Sequence, residues 1–291
     1  MMKVSLHDGE KKVRTIAIVL YLRNTGEYLR TFLIPTLTKF ENIYDCTFYY
    51  YIFENDSIDD TVSLLQEFMS NRKGIFITKK LNLNSICNGE HISRIRRMAY
   101  IRNLLLNNIR GELIKHDWCL FIDADIYFDN NILVELMSKI PKARNIGMLT
   151  CNSNQLTKII RHSYTGEERI SYENYNHYYD TFACITKEDI FNYPNCISAD
   201  CKHESCKYKQ SMNKHMKRLK SDDSDPLDVR SAWGGFVLID ASVFRYPNIR
   251  WKTHNIDTSA ICEHVYLCDM IHGITNKRIV ICGDISCYWI V

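Results

Sequence analysis

The 291-residue sequence lacks any apolar run long enough to cross a bilayer, and the residues ahead of its first apolar segment are charged or polar: Lys3, His7, Asp8, Glu10, Lys11 and Lys12. This pattern argues against a signal peptide and a membrane anchor and predicts a cytoplasmic protein without a membrane span. Glycine and proline are scarce, at 11 and 5, while 46% of the side chains are hydrophobic, so the chain can bury a substantial core without staples or partners. An excess of one charge is also missing. Lys and Arg number 37 against 34 Asp and Glu, and a net charge of +3 is too slight to indicate nucleic acid as a partner. The 12 cysteines contain no Cys-x-x-Cys pair. They lie singly in apparent strands (Cys119, Cys151, Cys184, Cys282, Cys287) and in loops, the usage of free thiols in a reducing cytosol. Cys196, Cys201, His203 and Cys206 lie close together, but without that pair the spacing speaks against a structural zinc. No internal repeat is present.

What the chain does contain is an alternation of strands and helices. Residues 15 to 22 and 47 to 53 are nearly continuous β-rich apolar runs, as in strands covered on both faces. Glu27 to Phe40 reads as a helix between them. After the second run, Glu54, Asn55, Asp56 and Ser57 lead through Asp59 and Asp60 into a helix whose apolar positions include Val62, Leu65 and Phe68. A short strand is predicted over 75–78, a long helix over Ser93 to Ile109, a fourth strand over Trp118 to Ile122, and a helix over Asn131 to Ile140. The pattern implies an α/β fold with a mainly parallel central sheet flanked by helices, in which ligands sit beyond the carboxyl ends of the strands. Both acidic clusters, Glu54 to Asp60 and Asp123 to Asp129, fall at such ends. The second half reads as less regular: a strand near 145–151, a polar stretch over 153–178, a Lys/Ser/Asp-rich segment over 207–230 with the composition of a mobile loop, and strands near Gly235 to Asp240 and Arg278 to Cys282. We expect one domain, 1–291, divided into a first half over 1–150 and a second half over 151–291.

Five features could carry chemistry. Strand 118–122 runs into Asp123 and Asp125, two carboxylates that repel each other and call for a cation; hard oxygen ligands suit Mn²⁺ or Mg²⁺. The alternative there is a helix cap. Arg102 falls on the apolar stripe of the long helix (Ile95, Met98, Ala99, Leu105, Leu106, Ile109) and needs a fixed anion, either an internal carboxylate or a ligand's phosphate. Tyr178, Tyr179 and Asp180 combine phenols with an acid, a set that grips sugars but also occurs in ordinary turns. Trp233, Gly234 and Gly235 offer a ring as a sugar platform and a backbone that a ligand could approach closely, or simply the start of a strand. Glu263 and His264 open a helical run, where an acid either caps the helix or acts as a general base toward an acceptor hydroxyl.

Taken in order, Phe53-Glu54-Asn55-Asp56-Ser57, Arg97-Met98-Ala99-Tyr100-Ile101-Arg102-Asn103, Phe121-Ile122-Asp123-Ala124-Asp125, Tyr178-Tyr179-Asp180-Thr181-Phe182-Ala183, Trp233-Gly234-Gly235 and Cys262-Glu263-His264 resemble the capsule-associated α-1,3-mannosyltransferase family of fungi and its relatives in large DNA viruses, within the GT-A superfamily. The resemblance implies a metal-dependent glycosyltransferase with a nucleotide-sugar donor (UDP- or GDP-sugar) bound by the first half, 1–150, and a glycan acceptor bound by the second, 151–291. It implies donor contacts at Glu54, Asp56, Arg102 and Asp123, metal ligands at Asp123, Asp125 and His264, and sugar or acceptor contacts at Tyr179, Trp233, Gly234 and Gly235. Catalytic roles fall to Glu263 and Asp180. Many GT-A enzymes place a metal-ligating His at the C-terminus, whereas this chain ends Cys287-Tyr288-Trp289-Ile290-Val291, so His264 or His272 is the substitute. The missing anchor and the viral relatives together suggest the cytoplasm of a virus-infected host cell. Two other classes remain open. A nucleotidyltransferase would show a glycine-rich loop, yet residues 15–30 hold only Gly26. A non-catalytic sugar-binding protein of the same fold would not need Asp123 and Asp125.

Overall fold

The computed structural model describes residues 3–9, 11–82, 91–162, 168–178, 183–187, 226–253 and 262–290. Four strands begin the sheet: β1 (Thr15–Leu22), β2 (Thr47–Asn55), β3 (Gly74–Lys79) and β4 (Trp118–Ile122). They run parallel in the order β3-β2-β1-β4. Helical segments cover them: α1 (Gly26–Tyr28) continuing through a π-helical turn at Leu29–Leu33 into α2 (Ile34–Ile43), then α3 (Thr61–Met69) and α4 (His91–Leu113). The π turn lies directly ahead of Pro35, whose missing N–H disturbs regular α-helical bonding.

Alternation along β1 divides the core. Ala17 and Val19 point into one cluster with Leu105, Leu106, Ile109 and Leu113 of α4, while Ile16, Ile18 and Leu20 point into the other with Leu37, Phe40 and Leu136. The strand is buried on both faces, which is why it reads as a continuous apolar run.

The second half adds β5 (Ile126–Phe128), α5 (Ile132–Lys139), β6 (Ile146–His162), β7 (Glu168–Tyr178), β8 (Ile185–Thr186), β9 (Leu227–Ser231), β10 (Phe236–Asp240), α6 (Glu263–Thr275) and β11 (Arg278–Ile290). The sheet continues past β4 as β10-β6-β11-β9-β8. β10 is antiparallel to both β4 and β6, and β6 is parallel to β11. Three expectations change here. The polar stretch over 153–178 is the greater part of a β6–β7 ribbon, because Gln155 to His162 pair with Tyr175 to Glu168 and satisfy each other's backbone groups. The loop expected over 207–230 ends in β9, which pairs with β11; its earlier part lies outside the described residues. The final strand is also longer than Arg278 to Cys282, since its later residues find partners in β6 and β5. No helix among the described residues is long and apolar enough to cross a membrane.

One topological fact positions the site. Leu22 of β1 lies opposite Glu54, and Leu20 opposite Ile122, so β1, β2 and β4 end at one edge of the sheet. Because β10 runs the other way, its first residue, Phe236, lies opposite Ile122, the last of β4. The residues leading into β10 therefore meet those leaving β4.

Candidate active site

At that meeting point the Asp123 N–H donates to the Gly235 carbonyl (2.8 Å) and the Trp233 indole N–H donates to Asp123 Oδ2 (2.8 Å). The other carboxylate oxygen lies 3.5 Å from Arg102 Nη2. Arg102 reaches it from α4, where it is buried as its place on the apolar stripe demands. Its Nη1 is 2.8 Å from Glu263 Oε1 and 2.6 Å from His264 Nε2, both at the start of α6. An internal carboxylate and a site aspartate thus share the guanidinium. Burial works against its charge, but Glu263 and Asp123 hold its pKa above the ordinary value. Burial raises the Asp123 carboxyl, and Arg102 and the Trp233 N–H offset this only in part.

Aromatic rings enclose the cluster. His264 stacks on Trp233, and the Arg102 guanidinium lies 5.1 Å from the Trp233 ring centre and 5.8 Å from that of Tyr21. Trp251 packs edge-on against Trp233 and Tyr21. Its backbone is tied to Asn103 by two hydrogen bonds, so consecutive residues of α4 hold the charge cluster and its aromatic wall. Sequence reasoning missed Tyr21 and Trp251, whose surroundings carry no chemical signal; Asn103 stood unweighed beside Arg102.

Several expected roles change in this geometry. Burial, then Arg102 and Arg94, push the His264 pKa well below the usual value, leaving it neutral. A neutral imidazole has one lone pair. Of its two donor neighbours, Arg102 at 2.6 Å is closer than Trp251 Nε1, 3.3 Å from Nδ1, and takes it. A metal at His264 would compete with Arg102 for that lone pair. The same holds for the trio Cys262, Glu263 and His264, whose ligand atoms lie within 4.8 Å of one another around a guanidinium that already supplies the positive charge. Glu263, 5% exposed, is the counter-charge of Arg102 and is turned toward it rather than toward an incoming hydroxyl. Trp233 is 2% exposed, so the ring orients Asp123 and has no open face for a sugar. Gly234 and Gly235 have φ of +68° and +77°. A Cβ on Gly235 would sit 2.8 Å from Ile126 and 2.9 Å from Trp289, so that glycine admits the protein's own side chains instead of a ligand. Tyr179, Asp180 and the Cys196–Cys206 group lie outside the described residues. None of the eight described cysteines is in a disulfide.

Asp125 is exposed beside this cluster, two residues beyond Asp123. Glu54 and Asp56 line a groove of about 710 Å³ at the ends of β2 and β3, together with Thr78, Lys79 and Lys80. Glu54 is buried and accepts from the Ser57 N–H (2.8 Å) and the Thr78 hydroxyl (2.5 Å). Asp56, at φ +56°, accepts from the N–H groups of Leu81 (2.7 Å) and Asn82 (2.9 Å). Both carboxylates therefore shape the groove as well as line it. A carboxylate pair at the end of β4, a buried cation behind it and a separate groove one strand beyond β1 thus share one edge of the sheet.

A family model described as Cryptococcal mannosyltransferase 1 matches residues 15–271 of the chain. No curated protein matches. Among solved structures, GalNAc-T7 with UDP, GalNAc and Mn²⁺ aligns over 96% of this chain and 44% of its own at 10% identity, with a TM-score of 0.47. S. aureus TarS 1-349 aligns over 95% and 60% at 11% identity and TM-score 0.49. The mannosyltransferase PcManGT from Pyrobaculum calidifontis, in complex with GDP-Man and Mn²⁺, aligns over 98% and 59% at 10% identity and TM-score 0.48. The chain spans 44% to 60% of the length of these three.

Proposed function

The chain belongs to the cryptococcal mannosyltransferase 1 family, and on that premise we propose that it moves a sugar from a nucleotide-sugar donor to an acceptor hydroxyl on a glycan, with Asp123 and Asp125 holding a divalent cation. The observation that carries this reading is Asp123 fixed at the end of β4, its carboxylate by the Trp233 indole N–H and its backbone N–H by the Gly235 carbonyl, with Asp125 exposed next to it. Charge supports it. Asp123 and Asp125 bring two carboxylates to the end of β4, where Arg102 is shared between Asp123 and Glu263. Carboxylates are hard oxygen ligands of the kind that suits Mn²⁺ or Mg²⁺.

Such a cation, when bound, would neutralise charge on the departing nucleoside diphosphate. The chain's own residues do the rest. Trp233 and Arg102 keep Asp123 in place, so the carboxylate need not reorganise during the reaction. Glu54 and Asp56 shape the groove that receives the nucleoside. With Glu263 committed to Arg102, the acceptor's proton falls to another carboxylate, and we assign Asp180 to that role.

The test is nucleoside diphosphate release from a panel of UDP- and GDP-sugars, with and without Mn²⁺, for the wild type and Asp125→Ala. Metal-dependent release from one donor, lost in the variant, is expected. Release that ignores both the metal and the substitution would remove the metal site from the reading, and silence with every donor would favour a non-catalytic sugar-binding protein.

A further inference from the structure

Among the exposed large hydrophobic side chains of the described residues, Ile58 stands apart at 94% exposure, the next being Tyr100 at 53%. It does not sit on a loose loop. Its N–H donates to Asn24 Oδ1 (2.9 Å), the Asn24 N–H donates to Ser57 Oγ (2.9 Å), and the Ser57 N–H donates to Glu54. The Gly26 N–H donates to Asp59 Oδ2 (2.9 Å), and the Thr25 N–H donates to Thr61 Oγ1 (2.8 Å). Asn24 and Asp56 both adopt positive φ, +50° and +56°, a conformation costly for residues other than glycine and retained here by these bonds. A strained, cross-braced loop thus presents an isoleucine to solvent on the wall of the groove that Glu54 and Asp56 also line.

Arg23 lines the same groove, and its Nε is buried without a hydrogen-bond partner among the described residues. A buried N–H left unmet is expensive, and a ligand that supplies an acceptor would relieve the cost. Arg23 follows the last residue of β1, the strand between β2, which carries Glu54, and β4, which leads to Asp123.

We propose that Ile58 and Arg23 are nucleotide-binding residues: Ile58 covers the flat face of the nucleobase, and Arg23 donates to an oxygen of the diphosphate. The assignment rests on the reading of this groove as the donor site. A base buries apolar surface against an aliphatic side chain without any hydrogen-bond match, and a guanidinium pairs with phosphate oxygens in a charge-assisted bond.

The test is calorimetric titration of wild type, Ile58→Ser and Arg23→Met with UDP, GDP, uridine and guanosine. For whichever diphosphate binds, Ile58→Ser weakens the diphosphate and its matching nucleoside by the same factor, roughly tenfold. Arg23→Met weakens the diphosphate roughly tenfold and leaves the nucleoside unchanged. Arg23→Lys, which keeps the charge, recovers part of the loss and guards against a folding defect, as do unchanged melting temperatures without ligand. Wild-type affinity in Ile58→Ser, or equal losses for diphosphate and nucleoside in Arg23→Met, overturns the corresponding contact while the donor groove stands. Failure of the wild type to bind either diphosphate overturns the donor groove and this assignment together.

Discussion

The imidazole of His264 lies flat against the indole of Trp233, with ring centres 3.7 Å apart and planes 18° apart. The stack joins the start of α6 to the segment entering β10, and it fixes the direction of the Trp233 N–H, which points at Asp123. The orientation of the carboxylate thus depends on packing between two elements remote from it in sequence.

Trp233→Phe keeps most of that stack and removes the N–H. Asp123 Oδ2 loses a partner in a site where burial already disfavours its charge. We expect a loss of about 1–3 kcal/mol in unfolding free energy and a fall in sugar transfer larger than the fall in nucleotide binding. Urea unfolding and a comparison of kcat with KM measure the two. An unchanged kcat would show that Asp123 needs no help from the indole.

Breaking the Arg102–Glu263 pair from one side leaves a buried charge unmatched. Arg102→Met or Glu263→Gln alone should cost about 3–5 kcal/mol. The double variant should lose clearly less than the sum, because the second substitution removes the charge that the first left stranded. Denaturant unfolding of all four proteins gives the coupling. Strict additivity would mean that the 2.8 Å contact contributes no mutual stabilisation.

Gly235→Ala puts a methyl group against Ile126 and the Trp289 ring at a φ of +77°. Overpacking and backbone strain act in the same direction, and a loss of about 2–4 kcal/mol is expected. Because the Gly235 carbonyl accepts from Asp123, transfer activity should fall as well. Thermal melting and the donor-release assay check both effects, and a variant as stable as the wild type would refute the close packing.

Asp117, at the opposite edge of the sheet, is held as a carboxylate by three partners. Burial works to raise its pKa, but Lys11 (2.7 Å) and the N–H groups of Arg14 (2.8 Å) and Thr15 (3.0 Å) outweigh it and hold the carboxyl below its usual range. A group whose native pKa lies below its unfolded value stabilises the fold above the unfolded value of about 3.9 and loses that effect as pH falls through the native one. Asp117→Asn should therefore cost about 1–2 kcal/mol at neutral pH, with the difference from wild type shrinking on acidification below the normal carboxylate pKa. Urea unfolding across that range tests it. A constant difference would assign the cost to lost geometry rather than to charge.

Much of the first half was legible because its strands are buried on both faces. Thr15 to Leu22 and Trp118 to Ile122 were predicted with the boundaries observed, since a short unbroken apolar run between polar turns suits a strand covered on both sides. The β6–β7 ribbon was not legible, because its polar residues are ordered by pairing with one another and leave no apolar period. Arg102 was half legible: its place on an apolar stripe required an anion, yet the anion stands 161 residues away on α6. Trp233 and Gly235 were legible as special positions, but their packing partners were not. Ring and glycine suggested a ligand surface, whereas both are packed against the protein itself.

The sequence by itself determined the α/β order of elements, the family through its ordered motifs, and the presence of two carboxylates beyond the end of an apolar strand. The element order and the carboxylates follow from local composition and periodicity, and the family from the resemblance of its motifs. Only the tertiary structure decided which charge faces which: Arg102 toward Glu263, His264 and Asp123, and the Trp233 N–H toward Asp123. The physical reason is topological. β10 runs antiparallel to β4, so Trp233 arrives at the sheet edge that Asp123 leaves, 110 residues apart in the chain, and no local pattern encodes that meeting.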